Sequence, residues 1–244
     1  MPPMQRHAVP VRFLLPIIVL IAACESPREN DGSLPPAAAQ DTTSWDVLFD
    51  GESLEGWRGF RAEGIPEGWM VTEEGDLHFA TSAGDINLGL ITEDEYSNFD
   101  LRFEWRVAPG GNSGVFFHVT DEGETIWETG PEYQIVDNEQ HADGETPTTS
   151  AASNYGLYGP DENHALPAGA YNEGRIVVEE GHVEHFLNGQ RVVDYELGSD
   201  EWEALVAESS FSELPAYGRT GSGHIALQEG GPVWYRNVRI QRLE

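Results

Sequence analysis

The chain has 244 residues, 43 acidic side chains against 13 basic ones and a formal net charge of -30, and every basic residue is arginine. A protein so acidic lacks the basic face that neutralises phosphates, which excludes nucleic acid as a partner, and without lysine it has no Schiff-base or lysine general-base chemistry. With 39% hydrophobic and 10% aromatic residues it can still bury a core.

In chain order, Arg6 and Arg12 precede an apolar run over 13–23 that is too short to span a bilayer permanently. It reads as a signal peptide covering 1–23. Its end, Ile21-Ala22-Ala23-Cys24, is similar to a bacterial lipobox, in which the cysteine becomes the lipid-modified amino terminus. Cys24 is the only cysteine, so disulfides, thiolate metal sites and, once it is lipidated, thiol catalysis are all disfavoured. The expected location is the cell envelope, anchored by lipid and facing the periplasm or the outer membrane. Residues 24–44 lack periodicity and read as a flexible tether, leaving 45–244 as one domain.

Within that domain, polar and apolar residues alternate over short runs punctuated by Gly, Asn, Asp and Pro. The clearest run is 99–107, where Phe99, Leu101, Phe103, Trp105 and Val107 share one face and Arg102, Glu104 and Arg106 the other. Pro109-Gly110-Gly111-Asn112 turns into a second strand at 114–119, with His118 expected on the Phe116 face. Further strands are expected at 132–136, 174–180, 182–187, 191–195, 223–228 and 233–240, with an Asn-Gly hairpin at Asn188-Gly189 and one short helix at 201–209. This pattern defines an all-β, two-sheet jelly-roll sandwich with a minor helix.

An outer sheet face is the place for polar chemistry, and Arg102, Glu104, Arg106, His118, Glu132 and Gln134 are expected to line one. Trp127, Tyr158 and Trp234 offer stacking surfaces for a sugar ring nearby. Asp137, Glu139, His141 and Asp143 lie within one loop and leave room for a divalent metal, although their spacing matches no specific motif. No other cofactor is indicated. His182 and His185, three apart on a strand, point to opposite faces and cannot chelate one ion without a bulge.

Several motifs together resemble the bacterial 3-keto-disaccharide hydrolase family. They are Leu48-Phe49-Asp50-Gly51 with Leu54-Glu55-Gly56-Trp57, Pro109-Gly110-Gly111-Asn112-Ser113-Gly114-Val115-Phe116-Phe117, Gly130-Pro131-Glu132-Tyr133-Gln134-Ile135-Val136, Val183-Glu184-His185-Phe186-Leu187-Asn188-Gly189, His224-Ile225-Ala226-Leu227-Gln228 and Val233-Trp234-Tyr235-Arg236. The resemblance implies a concanavalin-like jelly roll that cleaves glycosides oxidised at C3. A C3 ketone acidifies the C2 hydrogen, so a base can remove it, the C1 substituent leaves by β-elimination and water adds back. That route needs a base, a donor to the leaving oxygen and a stabiliser for the enolate. The Glu-x-Asp-x-Glu pattern of laminarinase-like jelly rolls, which carry two spaced carboxylates, is absent from the sequence.

Glu132, in the best-matching strand and on one face with Gln134, is the first candidate, as base or metal ligand; His141, an imidazole in the acidic loop that could act as acid or base, and His185, which matches the family at its position, are further catalytic candidates. Arg102, Glu104, Arg106, His118, Gln134, Tyr158, Gln228, Trp234 and Arg236 are candidates for binding substrate. The partner is expected to be a neutral glycoside, oxidised by a separate oxidoreductase because no dinucleotide-binding glycine motif is present here. Where the family continues its glutamine with Asp-His-Gly, this chain has Glu229-Gly230-Gly231-Pro232 and no histidine. That departure keeps two alternatives open: a non-catalytic carbohydrate-binding lipoprotein of the same fold, and, disfavoured by the missing carboxylate pattern, a conventional glycoside hydrolase.

Overall fold

A computed structural model describes residues 44–80 and 89–244. The signal peptide, Cys24 and nearly all of the tether lie outside the described residues. Thirteen strands follow in order: β1 (Asp46–Phe49), β2 (Trp57–Gly59), β3 (Trp69–Val71), β4 (Leu77–Phe79), β5 (Leu90–Thr92), β6 (Phe99–Val107), β7 (Asn112–Val119), β8 (Glu132–Val136), β9 (Asn172–Glu179), β10 (His182–Leu187), β11 (Gln190–Glu196), β12 (His224–Leu227) and β13 (Val233–Arg242). One helix, α1 (Asp200–Glu208), precedes β12. The larger antiparallel sheet runs β11-β10-β9-β6-β13-β4-β3, with β1 also paired to β13, and the smaller runs β2-β5-β12-β7-β8. The two sheets stack into the expected all-β sandwich.

Alternation decides which side chains lie between the sheets. Leu101 and Phe103 of β6, Val115 and Phe117 of β7, and Tyr133 and Ile135 of β8 are all buried in one core. Phe103 meets Tyr133 edge-on, with centroids 5.3 Å apart, so the two sheets touch through aromatic rings. Gly174 of β9 faces the Phe103 ring, where any side chain would collide with it. The Asn188-Gly189 turn has φ of 51° and 80°, the left-handed pair that a two-residue hairpin requires. Helix α1 begins at Ser199, whose hydroxyl accepts from the Trp202 amide at 3.2 Å, and it buries Trp202 and Val206, one turn apart.

Strand β7 departs from strict alternation, and this corrects the expected placement of His118. Across the ladder to β12, His224 pairs with Val119 and Ala226 with Phe116, so β7 carries one extra residue. His118 takes up the bulge with φ of 55°. The extra residue leaves Phe116 and Val119 together on the outer face, in a small cluster with Phe60, Ile91, Ile126 and Ala226. Phe117 and His118 both turn inward against Phe99. The buried His118 ring pairs with the Ser97 carbonyl, 2.8 Å from Nε2, and burial holds its pKa below the usual histidine value despite that bond. It is a core residue that does not face a ligand.

Phe117 is fully buried between the sheets, so Phe117→Ala is expected to cost about 3–5 kcal/mol of folding stability. Denaturant unfolding of the variant, with a lowered midpoint and an unchanged slope, checks this.

Candidate active site

The outer face of the smaller sheet carries a cavity of about 390 Å³ lined by Asn112, Trp127, Glu132, Gln134, Asp143, Tyr155, Ser210, Phe211 and Gln228. Its floor is made by β7, β8 and the end of β12, where Asn112, Gly114, Glu132, Gln134 and Gln228 meet. The inward residues of the same strands, Val115, Tyr133 and Ile135, tie this floor to the core.

Glu132 of β8 pairs with Phe116 of β7, and its side chain crosses diagonally to Gly114, whose own ladder partner is Gln134. A Cβ at Gly114 would fall on Glu132 Oε1 and crowd the Phe116 ring, so the carboxyl takes the space that a side chain would fill. Glu132 is 8% exposed. Burial raises its pKa to about 8, and the negative charge of Asp143 adds to the shift. At neutral pH the group is therefore a protonated acid.

Asp143 sits in a 3-10 turn, Ala142–Glu145, whose loop is clamped to the sheet. Asn112 Nδ2 donates to Asp143 Oδ2 at 2.9 Å, and Gly110 N donates to Asp137 Oδ2 at 2.8 Å. His141 caps the turn, its Nδ1 accepting from the Asp143 amide at 3.1 Å. The imidazole thus stands behind Asp143 and does not line the cavity. Tyr155 completes the polar wall; burial, then the charges of Asp143 and Glu132, raise its pKa, so its hydroxyl remains a donor. On the other side, Phe211 stacks on Tyr217 at 4.1 Å, and Tyr217 lies parallel to Trp202 of α1 at 5.9 Å. The short helix therefore anchors one wall of the cavity.

The loop Glu229-Gly230-Gly231-Pro232 lies against β7. Gly231 N donates to the Asn112 carbonyl at 2.9 Å, and a Cβ at Gly230 would strike that carbonyl. The chain thus presses its backbone onto the residue that holds Asp143.

Of the expected site residues, the cavity brings together Glu132, Gln134 and Gln228, with Trp127 of the expected stacking surfaces. The others require correction. His185 lies inside the sandwich, fully buried and tilted against Tyr133 at 5.1 Å. Its Nδ1 meets the Ala152 carbonyl at 3.0 Å, and burial pushes its pKa down to about 4, against the lesser effect of that bond. It is a neutral core histidine and cannot reach substrate. Tyr158 stacks on Tyr195 at 5.0 Å, away from the cavity wall.

Arg102, Glu104, Arg106, Trp234 and Arg236 lie on the outer face of the larger sheet, on the opposite side of the sandwich. There Arg236 Nε donates to Glu104 Oε2 at 2.8 Å and packs 3.8 Å over the Tyr171 ring. Arg106 lies 4.2 Å over Trp234, which stacks on His78 at 4.4 Å. The reason for the misplacement is general: alternation tells which residues share a face of one strand, but not which sheet that strand joins.

The loop donors also do not fit a shared ion. Asp137 accepts from Gly110 and Glu139 amides, Asp143 from Asn112, and His141 Nδ1 from an amide. Among the described residues no group of three or more His, Cys, Asp or Glu side chains is placed to hold a metal.

Asn112, Asp143, Tyr155, Ser210 and Phe211 are lining residues that were not assigned a substrate role from sequence. Asn112 had a signal, since it ends the Pro-Gly-Gly-Asn turn and opens a strand. Tyr155, Ser210 and Phe211 come from long loops whose path no periodicity reveals.

With the cavity defined, comparison with known proteins places the chain. Residues 44–241 match the family model of the 3-keto-α-glucoside-1,2-lyase-like domain, and the chain belongs to this family. It is similar to a 3-keto-disaccharide hydrolase of Bacteroides thetaiotaomicron, 33% identical over 233 residues, covering 84% of this chain and 80% of that protein. It is also similar to a crystal structure from Parabacteroides distasonis ATCC 8503, provisionally assigned as a glycosyl hydrolase, with a TM-score of 0.75, 28% identity, 83% of this chain and 95% of that one covered. A galectin-like protein of Bacillus subtilis, at 11% identity and a TM-score of 0.51 over 82% of this chain and 94% of that one, shares the fold.

The raised pKa of Glu132 has a measurable consequence for stability. The folded carboxyl keeps its proton up to about pH 8, whereas the unfolded one loses it near 4.5. Stability is therefore lost as pH rises between these values and levels off above the upper one. Glu132→Gln removes this penalty and is expected to stabilise the fold by at least ~1 kcal/mol at pH 9 relative to wild type, with little effect at pH 4. Parallel thermal melts at the two pH values check it.

Proposed function

We propose that this protein hydrolyses 3-keto-disaccharides in the cavity of the smaller sheet, through C2 proton abstraction, β-elimination and hydration. As a member of its family it is a glycoside-cleaving enzyme, and the name of its Bacteroides thetaiotaomicron relative supports the substrate class. The observation that carries the mechanism is Glu132, a buried carboxyl that is protonated at neutral pH at the floor of a sugar-sized cavity.

In this reading Asp143, held by Asn112 at the cavity wall, takes the proton from C2. The pair of electrons released forms the C1–C2 double bond, and the C1–O bond breaks. Glu132 gives its proton to the leaving oxygen, so the departing sugar leaves neutral. The Tyr155 hydroxyl and the amides of Gln134 and Gln228 supply donors for the enolate oxygen and neighbouring hydroxyls. Glu132, now a carboxylate, takes a proton from water as the oxygen adds to C1, and Asp143 returns its proton to C2. The sum is hydrolysis, with both carboxyl groups restored. Trp127, exposed at the rim, offers a face for the second sugar ring.

The setting in the cell belongs to the same proposal. The apolar leader and Cys24 support a lipid-anchored protein of the cell envelope, and the C3 ketone must be made by a separate oxidoreductase. A net charge of -30 favours an uncharged disaccharide over anionic glycans at this site, whose own walls carry two carboxyl groups.

Turnover of a 3-keto-disaccharide and of its unoxidised parent by the full-length chain tests the reading. Expected are cleavage of the keto sugar alone, a decline in turnover as pH rises past about 8, and a loss of about 10²-fold or more in Glu132→Gln. Equal cleavage of the parent sugar would show direct hydrolysis by two carboxyl groups instead. Turnover that rises through pH 8 would assign Glu132 as the initial base.

A further inference from the structure

We propose that the outer face of the larger sheet holds a second ligand site, a pocket for the carboxylate of an acidic sugar. The cavity there measures about 310 Å³ and is lined by Arg102, Arg175, Arg239, Glu104, Glu173 and Phe186, among others. Three guanidinium groups thus converge on one pocket of a chain that has 13 arginines and 43 acidic residues.

Two of the three are fixed in place from below. Asp100, only 6% exposed, accepts from Arg175 Nε and Nη2 at 2.8 Å each, and from Arg102 Nε and Nη2 at 3.3 and 3.1 Å. Burial acts to raise Asp100, but these bonds outweigh it, and its pKa lies below the usual carboxylate value. Each fork spends Nε and Nη2 on Asp100, which leaves Nη1 of both arginines for a ligand. Ring contacts add rigidity: Arg175 lies 4.6 Å over Phe186, and the Trp45 ring has Arg102 at 4.8 Å and Arg239 at 5.3 Å. Arg239 has no carboxylate partner among the described residues and keeps its whole fork available.

The walls narrow the ligand class. Glu104, which accepts from Arg236 and Asn237, and the exposed Glu173 border the guanidinium groups. They suit hydroxyl donors and repel a second negative charge, so a single carboxylate on a polyol fits better than a phosphate or a polyanion. The Glu132 cavity, with two carboxyl groups and no cation in its lining, lies on the other sheet and is chemically the opposite. The second site therefore does not depend on the proposed catalytic reading.

Titrating the full-length chain at low salt with glucuronate, glucose and inorganic phosphate, followed by heteronuclear NMR, tests this. Expected are saturable shifts with glucuronate that weaken at least tenfold in Arg239→Gln and tighten in Glu173→Gln, where the repelling charge is gone. Turnover of 3-keto-disaccharide by Arg239→Gln is expected to equal wild type. Both substituted side chains are exposed, so both variants should fold. Equal binding of glucose, equal or tighter binding of phosphate, or glucuronate binding that survives Arg239→Gln would each overturn the proposal.

Discussion

The site rests on a missing side chain. Gly114 leaves a gap in β7 into which the carboxyl of Glu132 folds, close to the backbone and almost out of reach of water. A carboxylate in that position would be stripped of solvent, so the group holds its proton instead. Asp143 adds a negative charge to the same cavity and pushes in the same direction. Glycine at one position thereby sets the protonation state of the central acid, and with it the sign of any pH dependence.

The rest of the small sheet serves to keep that arrangement rigid. Asn112 ties the Asp143 loop to β7, the Gly230-Gly231 backbone presses on Asn112, and the bulge at His118 turns Val119 out beside Phe116. Phe116 then roofs a second apolar cluster next to the polar floor. Helix α1 reaches the site through the Trp202, Tyr217 and Phe211 rings. The loop after Gln228 thus has a structural task, bracing Asn112 through main-chain contact.

How much of this could be read from the chain depended on length and on periodicity. Strands such as β6, β8 and β10 were legible to the residue, because several alternations in a row identify a strand and its inner face. The three- and four-residue strands β1 to β5 contain too few alternations to stand out. Glu132, Gln134 and Gln228 were legible as candidates because the first two sit on a regular strand and the third directly follows one, all within the motifs that carry the resemblance. Arg102, Glu104, Arg106, Trp234 and Arg236 were placed with them because alternation carries no information on sheet partnership. His185 was misread because a histidine facing the core looks the same in sequence as one facing a ligand. Its burial against Tyr133 and Tyr195 is a property of the packed sandwich alone.

The two outer faces of the sandwich now differ in chemistry: one holds a protonated acid among amides and aromatics, the other a carboxylate-braced group of arginines. The protonation of Glu132 is the claim on which the mechanism turns, and carbon-13 NMR of the carboxyl, with Glu132→Gln to assign the signal, measures it most directly. Expected is a single carboxyl that remains protonated at pH 7 and titrates at about pH 8. A Glu132 carboxyl that titrates near 4.5, as an ordinary glutamate does, would contradict it.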